Sequence, residues 1–554
     1  MRKSIFSLAL LLACGSIHAQ DEAPTAVVKV ENDYKPIVVQ VNKRGFTPTM
    51  ASDEEITPLE LKFSKLASPF AGFTSERNIR ELLRGQESSA PGYARVGYGT
   101  GGSADAKLAY RLKTGKNGIM RMIAALDGFN ANVRGQYRDW DSRMYRTLLD
   151  ADYTHEFSGL TLKVTGTFKN RAFNYQSTGK EVNITDKQNS KDYIIAAKGT
   201  GKLAGPFSYS FNAGYTHSRR AYANGLDQHM AQNRISAGGT AAYEIYDNEL
   251  RRVGTDVQLD LYTYNSFMRK GSFGYSNFLS ADINPFIDFN FEGWKLVLGT
   301  NINLLTSGGP AIAIAPDIKV EGNINSNLSL YASITGGRTS NGFESFDAMS
   351  PYWSFEQNCA GCRQLKPTYK VVDFMAGSRV SLAPFSFDFY AGYAYTKDNL
   401  LQTIKYSTVY NYDALLYVDI AQQNTHDFYI GGRAGCDLLG WLKLAADVRY
   451  DHWNCDNGNL LVMNPQFYAA LEAEAEPLDG LVINAGYSLT RYTAGDTNGR
   501  LDNRYDLHAR ASYRINSMFG VFLQGEDLLN NKYYQYAGYF SRGIRGLAGV
   551  TVDF

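Results

Sequence analysis

From about Pro91 onward the chain alternates apolar and polar residues over strand-length segments. In GLTLKVTGTF, Leu160, Leu162, Val164 and Phe168 oppose Thr161, Lys163, Thr165 and Thr167. In WLKLAADVRYD, Leu442, Leu444, Ala446, Val448 and Tyr450 oppose Lys443, Asp447, Arg449 and Asp451. YDLHARASYRI does the same from Tyr505 to Ile515. Period two places one apolar and one polar face on a strand. These strands run past the usual five or six residues toward the roughly 9–11 of a membrane-crossing strand. The C-terminal GLAGVTVDF ends in the same way, with Val550, Val552 and Phe554 on one face and Thr551 and Asp553 on the other.

The links between segments alternate in length. SG follows Phe157, AGP follows Leu203, AP follows Leu382, LG follows Leu438 and NS follows Ile515. Between these tight turns lie longer polar links at 127–142, 176–189, 221–227, 339–366, 455–461 and 530–540. Short turns at one end and long loops at the other are the layout of a transmembrane barrel. The expected fold is therefore all-β, an antiparallel up-and-down transmembrane barrel of about 22 strands after a short extended N-terminal segment. The first strand is expected near Gly92–Gly99, the last at 544–554, and 400–422 reads as one extended hairpin built from two short apolar runs. An even strand count sets both termini on the periplasmic side. A sandwich or propeller does not place the tight turns on one side, and no blade-length repeat is present. Tyr153, Tyr487, Tyr513, Trp441 and Trp453, near strand ends, are expected in interfacial aromatic girdles.

Composition agrees with that reading. Thirty-eight Tyr, 30 Phe and 52 Gly accompany only 15 Pro in 554 residues, and the mean hydropathy of −0.31 is that of alternating faces rather than apolar helices. With 56 basic and 55 acidic side chains the formal charge is +1, so no basic field directs the chain to nucleic acid. The start, MRKSIFSLALLLACGSIHAQ, has the charged, apolar and small-residue order of a secretory signal, with cleavage expected between Ala19 and Gln20. Leu12-Ala13-Cys14 also reads as a lipoprotein cleavage site, in which Leu12 is atypical. The expected organisation is a signal peptide at 1–19, a periplasmic or lumenal extension at 20–90 and the barrel at 91–554.

The C-terminal stretch GEDLLNNKYYQYAGYFSRGIRGLAGVTVDF carries further signals. Its Asp527-Leu528-Leu529-Asn530-Asn531-Lys532-Tyr533, Gly538-Tyr539 and terminal Phe554, with QLKPTYKVVDFMAGSRV upstream, resemble the barrel of TonB-dependent receptors. Ser541-Arg542-Gly543-Ile544-Arg545 stands where the family has Pro-Gly-Arg, and Thr368 where it has Glu. The resemblance covers the barrel, most clearly 366–554. It implies location in the outer membrane of a Gram-negative bacterium, and a C-terminal strand read through Val550, Val552 and Phe554 by the barrel-insertion machinery. It also implies a receptor or transport role without catalysis, for a small-molecule or oligomeric substrate that the motifs do not identify. The family's plug domain needs well over a hundred residues, and about 70 separate Gln20 from the first strand. Val27, Val28, Val30, Tyr34, Ile37, Val38 and Val39 in that segment are β-prone. They suit strand addition to TonB or another periplasmic protein, or a reduced plug lining the lumen. The alternative role is a non-transporting barrel that anchors an assembly through this segment.

Other candidates are local. Cys359 and Cys362 form a CxxC in the longest loop, without a second CxxC or a following His, which points to a small disulfide rather than a metal or haem site. The histidines lack ligand spacing, so no metal and no cofactor are expected. FESFDAMSPYWSF offers Phe343, Phe346, Tyr352, Trp353 and Phe355 either to grip a ligand or to fold onto the barrel rim. No nucleophile elbow or other catalytic motif is present. The mixed charges on the polar faces, Asp152, Lys163, Asp260, Lys443, Arg449 and Glu474 among them, are expected to pair across strands inside a wet lumen.

Overall fold

The computed structural model describes residues 91–135, 139–177, 188–202, 205–222, 228–245, 250–267, 275–291, 293–354, 364–409, 413–437, 439–461, 463–492 and 502–554. The signal peptide and the 20–90 extension expected from the sequence lie outside them. Twenty-two strands, each antiparallel to the next in the chain, close into one barrel. The first strand, Gly92–Gly99, pairs with the last, Arg545–Asp553, from Tyr93↔Asp553 to Gly99↔Leu547, so no edge is left open. Phe554 completes the seam. Its carbonyl accepts from Gly92 N at 2.7 Å and its amide donates to Gly92 O at 3.0 Å. The ring lies over Gly92, where a Cβ would collide with it, and stacks on Tyr110 at 6.2 Å.

The alternation separates two surfaces. Val96 and Val550, directly opposed at the seam, are 58% and 52% exposed, and Ile195, Ile235, Phe389, Phe428, Ile430 and Leu523 continue the apolar belt around the outside. A patch of this extent in water would be an aggregation surface; against lipid it is the surface a bilayer covers. Inside, charges pair across strands as expected. Arg234 meets Asp260 at 2.9 Å, Arg121 and Lys163 share Asp152, Lys443 meets Glu474 at 3.4 Å, and Arg449 lies between Asp427 and Asp451. Tyr390 and Tyr429 lie flat on the backbone of Gly431 and Gly392, positions where a Cβ would run into the ring. Arg449 covers Tyr429 at 4.3 Å, and the Tyr429 hydroxyl donates to Asp373 at 2.8 Å. Glycine, ring and guanidinium thus form a layered inner wall.

Three details differ from the sequence reading. The link expected at 127–142 is shorter, because Gly118–Val133 and Trp140–Phe157 are both strands and Asp127 faces Arg146 across their ladder. Inward polar residues there continue a strand rather than mark a loop. Trp453 shares the inward parity of Arg449 and Asp451, and its indole N–H donates to Pro465 O at 2.8 Å, so it is no part of an outer girdle. Tyr153, Tyr487, Tyr513 and Trp441 do face out. The last strand begins at Arg545, one residue later than expected. The hairpin expected at 400–422 is present, as the top of two 25-residue strands, Phe385–Val409 and Asp413–Asp437. Among the described residues no helix is long and apolar enough to cross a membrane.

Candidate functional site: a cap across the mouth

The long hairpin decides what happens at the loop end of the barrel. Its pairing breaks between Thr396 and Asn399, with Asp398 at φ +49°, and resumes from Asn399↔Gln423 to Val409↔Asp413. Beyond this break Leu415, Leu416, Tyr417 and Val418 are all fully buried, which two strands standing free in water could not achieve. They are buried because other loops close on them. Leu415 pairs with Ser177 and Leu416 with Gln176. On the same strand Val418 N donates to Tyr352 O at 2.9 Å and Ser354 N to Val418 O at 3.1 Å.

The order of strands shows where this puts the hairpin. Gln176–Ser177 follows the fifth barrel strand, Leu160–Phe173, whereas Asp413–Asp437 is the sixteenth. Eleven places separate them in a ring of 22, so the pairing spans a diameter of the mouth. The hairpin is a bridge from wall to opposite wall.

Beneath and beside it the loops pack a small core. Tyr352 and Tyr539 stack in parallel with centroids 3.8 Å apart, and Trp353 lies against Phe343 at 5.4 Å and Phe346 at 5.2 Å. The Tyr539 hydroxyl donates to Leu416 O at 2.6 Å and that of Tyr175 to Trp353 O at 3.0 Å. Gln402 ties the same two loops to the hairpin, donating to Met349 O at 3.1 Å and accepting from Ala537 N at 3.3 Å. Burial pushes the Tyr352 and Tyr539 hydroxyls above their ordinary range, so they stay neutral donors. Each fully buried side chain of this kind contributes about 1.5–3 kcal/mol. The cap is therefore a second core rather than a fringe of loops.

A short helix, Phe343–Met349, fixes the cap to the wall. Phe343 and Phe346, three residues apart, share the buried face, while Glu344 in the first turn points to solvent. Asp347 follows Phe343 by four residues and reaches the wall. Its carboxylate pairs with Arg220, with Arg171 at 3.4 Å, and accepts the Trp353 indole N–H at 2.7 Å. Arg220 is fully buried, pairs also with Asp192 at 3.0 Å, and lies over the Phe343 ring.

Of the residues singled out in the sequence, Phe343, Phe346, Tyr352 and Trp353 are brought together and buried, at 2%, 0%, 5% and 0% exposure. They face one another and the hairpin rather than the exterior. Phe355, Cys359, Cys362 and Val27, Val28, Val30, Tyr34, Ile37, Val38 and Val39 lie outside the described residues. Val550, Val552 and Phe554 line the outer face of the seam. Cys436 and Cys455 are free thiols, the latter donating to Asn457 O at 3.0 Å. Sequence reasoning missed Asp347, Arg220, Tyr175 and the 415–418 run; only the run itself, four apolar residues beyond the reach of a bilayer, carried a signal. Among the described residues no group of three or more His, Cys, Asp or Glu is placed to hold a metal.

No family model and no curated protein matches the sequence. Solved structures do. The FrpB iron transporter from Neisseria meningitidis (F3-3 variant) superposes with a TM-score of 0.65 at 11% identity, over 86% of this chain and 83% of that one. The ferric-catecholate import receptor Fiu from E. coli K12 gives 0.61 at 10% identity over 84% and 82%. The copper transporter OprC gives 0.60 at 11% identity over 84% and 80%. The chain has the barrel fold of these transporters and receptors.

Proposed function

We propose that this chain is an outer-membrane receptor of the TonB-dependent type, which binds or passes a small-molecule or oligomeric solute through its mouth and lumen. The observation that carries the proposal is the bridge of Leu415–Leu416 onto Gln176–Ser177, which lays a packed and latched cap across the mouth of a wide barrel. A barrel of 22 strands encloses a lumen that would leak unless filled or covered. A cover built from loops, not from wall strands, can part to admit a solute and close again. The solved neighbours, an iron transporter, a ferric-catecholate import receptor and a copper transporter, support transport over catalysis. In this reading the short turns and both termini face the periplasm, lipid covers the apolar belt, and the barrel-insertion machinery reads the strand ending in Phe554. Val27–Val39 would then meet TonB or another periplasmic protein by strand addition.

Single-channel recording in planar bilayers tests the cap. The full chain, and a variant without residues 21–84, are expected to stay closed. A variant lacking both 21–84 and 403–419 is expected to show large steps. Large steps from the 21–84 deletion alone would assign closure to the N-terminal segment and remove the cap from the mechanism. Capture of the detergent-purified full chain by a TonB periplasmic domain, lost on replacing Val27, Val28 and Val30 by Asp, separates the receptor from the anchoring barrel.

A further inference from the structure

A cavity of about 40 Å³ lies where the cap meets the upper inner wall, lined among others by Trp140, Ser142, Tyr352, Gln535, Tyr539 and Arg542. A water molecule needs roughly 10–15 Å³ of such space, so the cavity holds about three non-hydrogen atoms, the size of a carboxylate or the tip of a phosphate. Its charges do not balance. Arg146 is held by Asp127 at 2.5 Å and Arg545 by Glu526, so both neighbouring cations are neutralised. Arg542 is not. Its guanidinium lies over the Phe129 ring at 4.0 Å, and among the described residues no carboxylate or carbonyl bonds it.

Arg134, over Phe540, and Arg510, over Phe522, are likewise stacked with no ion pair among the described residues, and of the three Arg542 alone lines the cavity. Arg95, Arg234, Arg252, Arg379 and Arg449 each cover an aromatic ring and also hold a carboxylate. Burial, and then the like charge of Arg545, bring Arg542 down to about 10, so it remains a cation at neutral pH in a place that disfavours one. A half-buried guanidinium without an anion keeps its planar fork of donors open to a bidentate oxyanion. The Gln535 amide and the Ser142 hydroxyl, which is hydrogen-bonded to Tyr352, supply further polar partners around it.

We propose that this cavity is a binding site for the oxyanion group of a small solute, a carboxylate or a phosphate, with Arg542 as its cation. The site does not require that the barrel transport what it binds. Calorimetric titration of the detergent-purified full chain with sodium phosphate and with sodium benzoate, at an ionic strength held constant with chloride, tests it and separates the two anions. Saturable binding of at least one of them is expected, weakened tenfold or more by Arg542→Gln and less by Arg542→Lys, and unchanged by Arg219→Gln. Equal heats from added chloride, or equal affinity in Arg542→Gln, would overturn it. Labelling of the unaltered protein by phenylglyoxal gives a reading that needs no variant. The bound anion is expected to slow modification at Arg542 and not at Arg219; an unprotected Arg542 would sink the proposal.

Discussion

Asp347 joins the cap to the barrel with one short side chain. It meets Arg220, Arg171 and the Trp353 indole, and of these Arg220 and Trp353 are fully buried. Breaking a buried pair leaves a charge without compensation, at about 3–5 kcal/mol, and Asp192 stays beside Arg220 to offset part of that. Asp347→Asn, which keeps the shape and removes the charge, is therefore expected to destabilise the cap by about 2–4 kcal/mol. Hydrogen exchange should rise in 343–354 and stay unchanged in the wall strands. Equal exchange in both proteins would mean that the aromatic core holds the cap without the latch.

At the scale of elements, the last long loop has its own pH dependence. Asp527 opens it in the left-handed region at φ +48°, a conformation Asp tolerates better than most residues, and its carboxylate accepts from Asn531 N at 3.2 Å. Burial, and then the neighbouring Asp506, push Asp527 from 3.8 up to about 6. The folded loop thus holds its proton more tightly than the unfolded chain. That contribution is complete below 3.8 and lost as pH rises through about 6. Tyr539, which hydrogen-bonds the bridging hairpin, sits in the same loop. The loop is expected to exchange backbone hydrogens more slowly at pH 5 than at pH 7, after correction for the intrinsic rate. Asp527→Asn should abolish that difference. The elements also show how far the sequence could be read. Wall strands were legible because lipid and lumen impose one face each on every residue, as Val96 and Val550 show. Trp453 was misread because an indole suits both an interface and an inward hydrogen bond. The cap was illegible because Gln176, Trp353, Leu416 and Tyr539 meet only through the closed ring, and no local pattern records such a meeting. The Phe343–Phe355 stretch announced its aromatics but not which way they turn.

For the molecule as a whole, the seam between the first and last strands is the place where closure can fail. Phe554 contributes two backbone hydrogen bonds there, and its ring covers Gly92. Its side chain stays 46% exposed, so Phe554→Ala should cost the refolded barrel only about 1 kcal/mol, read from the temperature at which it loses its compact mobility in detergent gels. On the proposal that the barrel-insertion machinery reads this strand end, the yield of folded barrel in the outer membrane is expected to fall much further. Equal losses in both assays would leave Phe554 a packing residue alone.

The bridge across the mouth also imposes an order on biogenesis. Its two halves come from the fifth and sixteenth strands, and Tyr539, which hydrogen-bonds Leu416, lies between the last two. Contacts this distant in sequence bear a large loop-closure entropy until the wall holds their ends together. The ring must therefore be complete before its cover can form, and the newborn barrel passes through an open stage. In the outer-membrane receptor we propose, a chain stalled there would be a hole in the outer barrier, and prompt folding of the cap would guard against it.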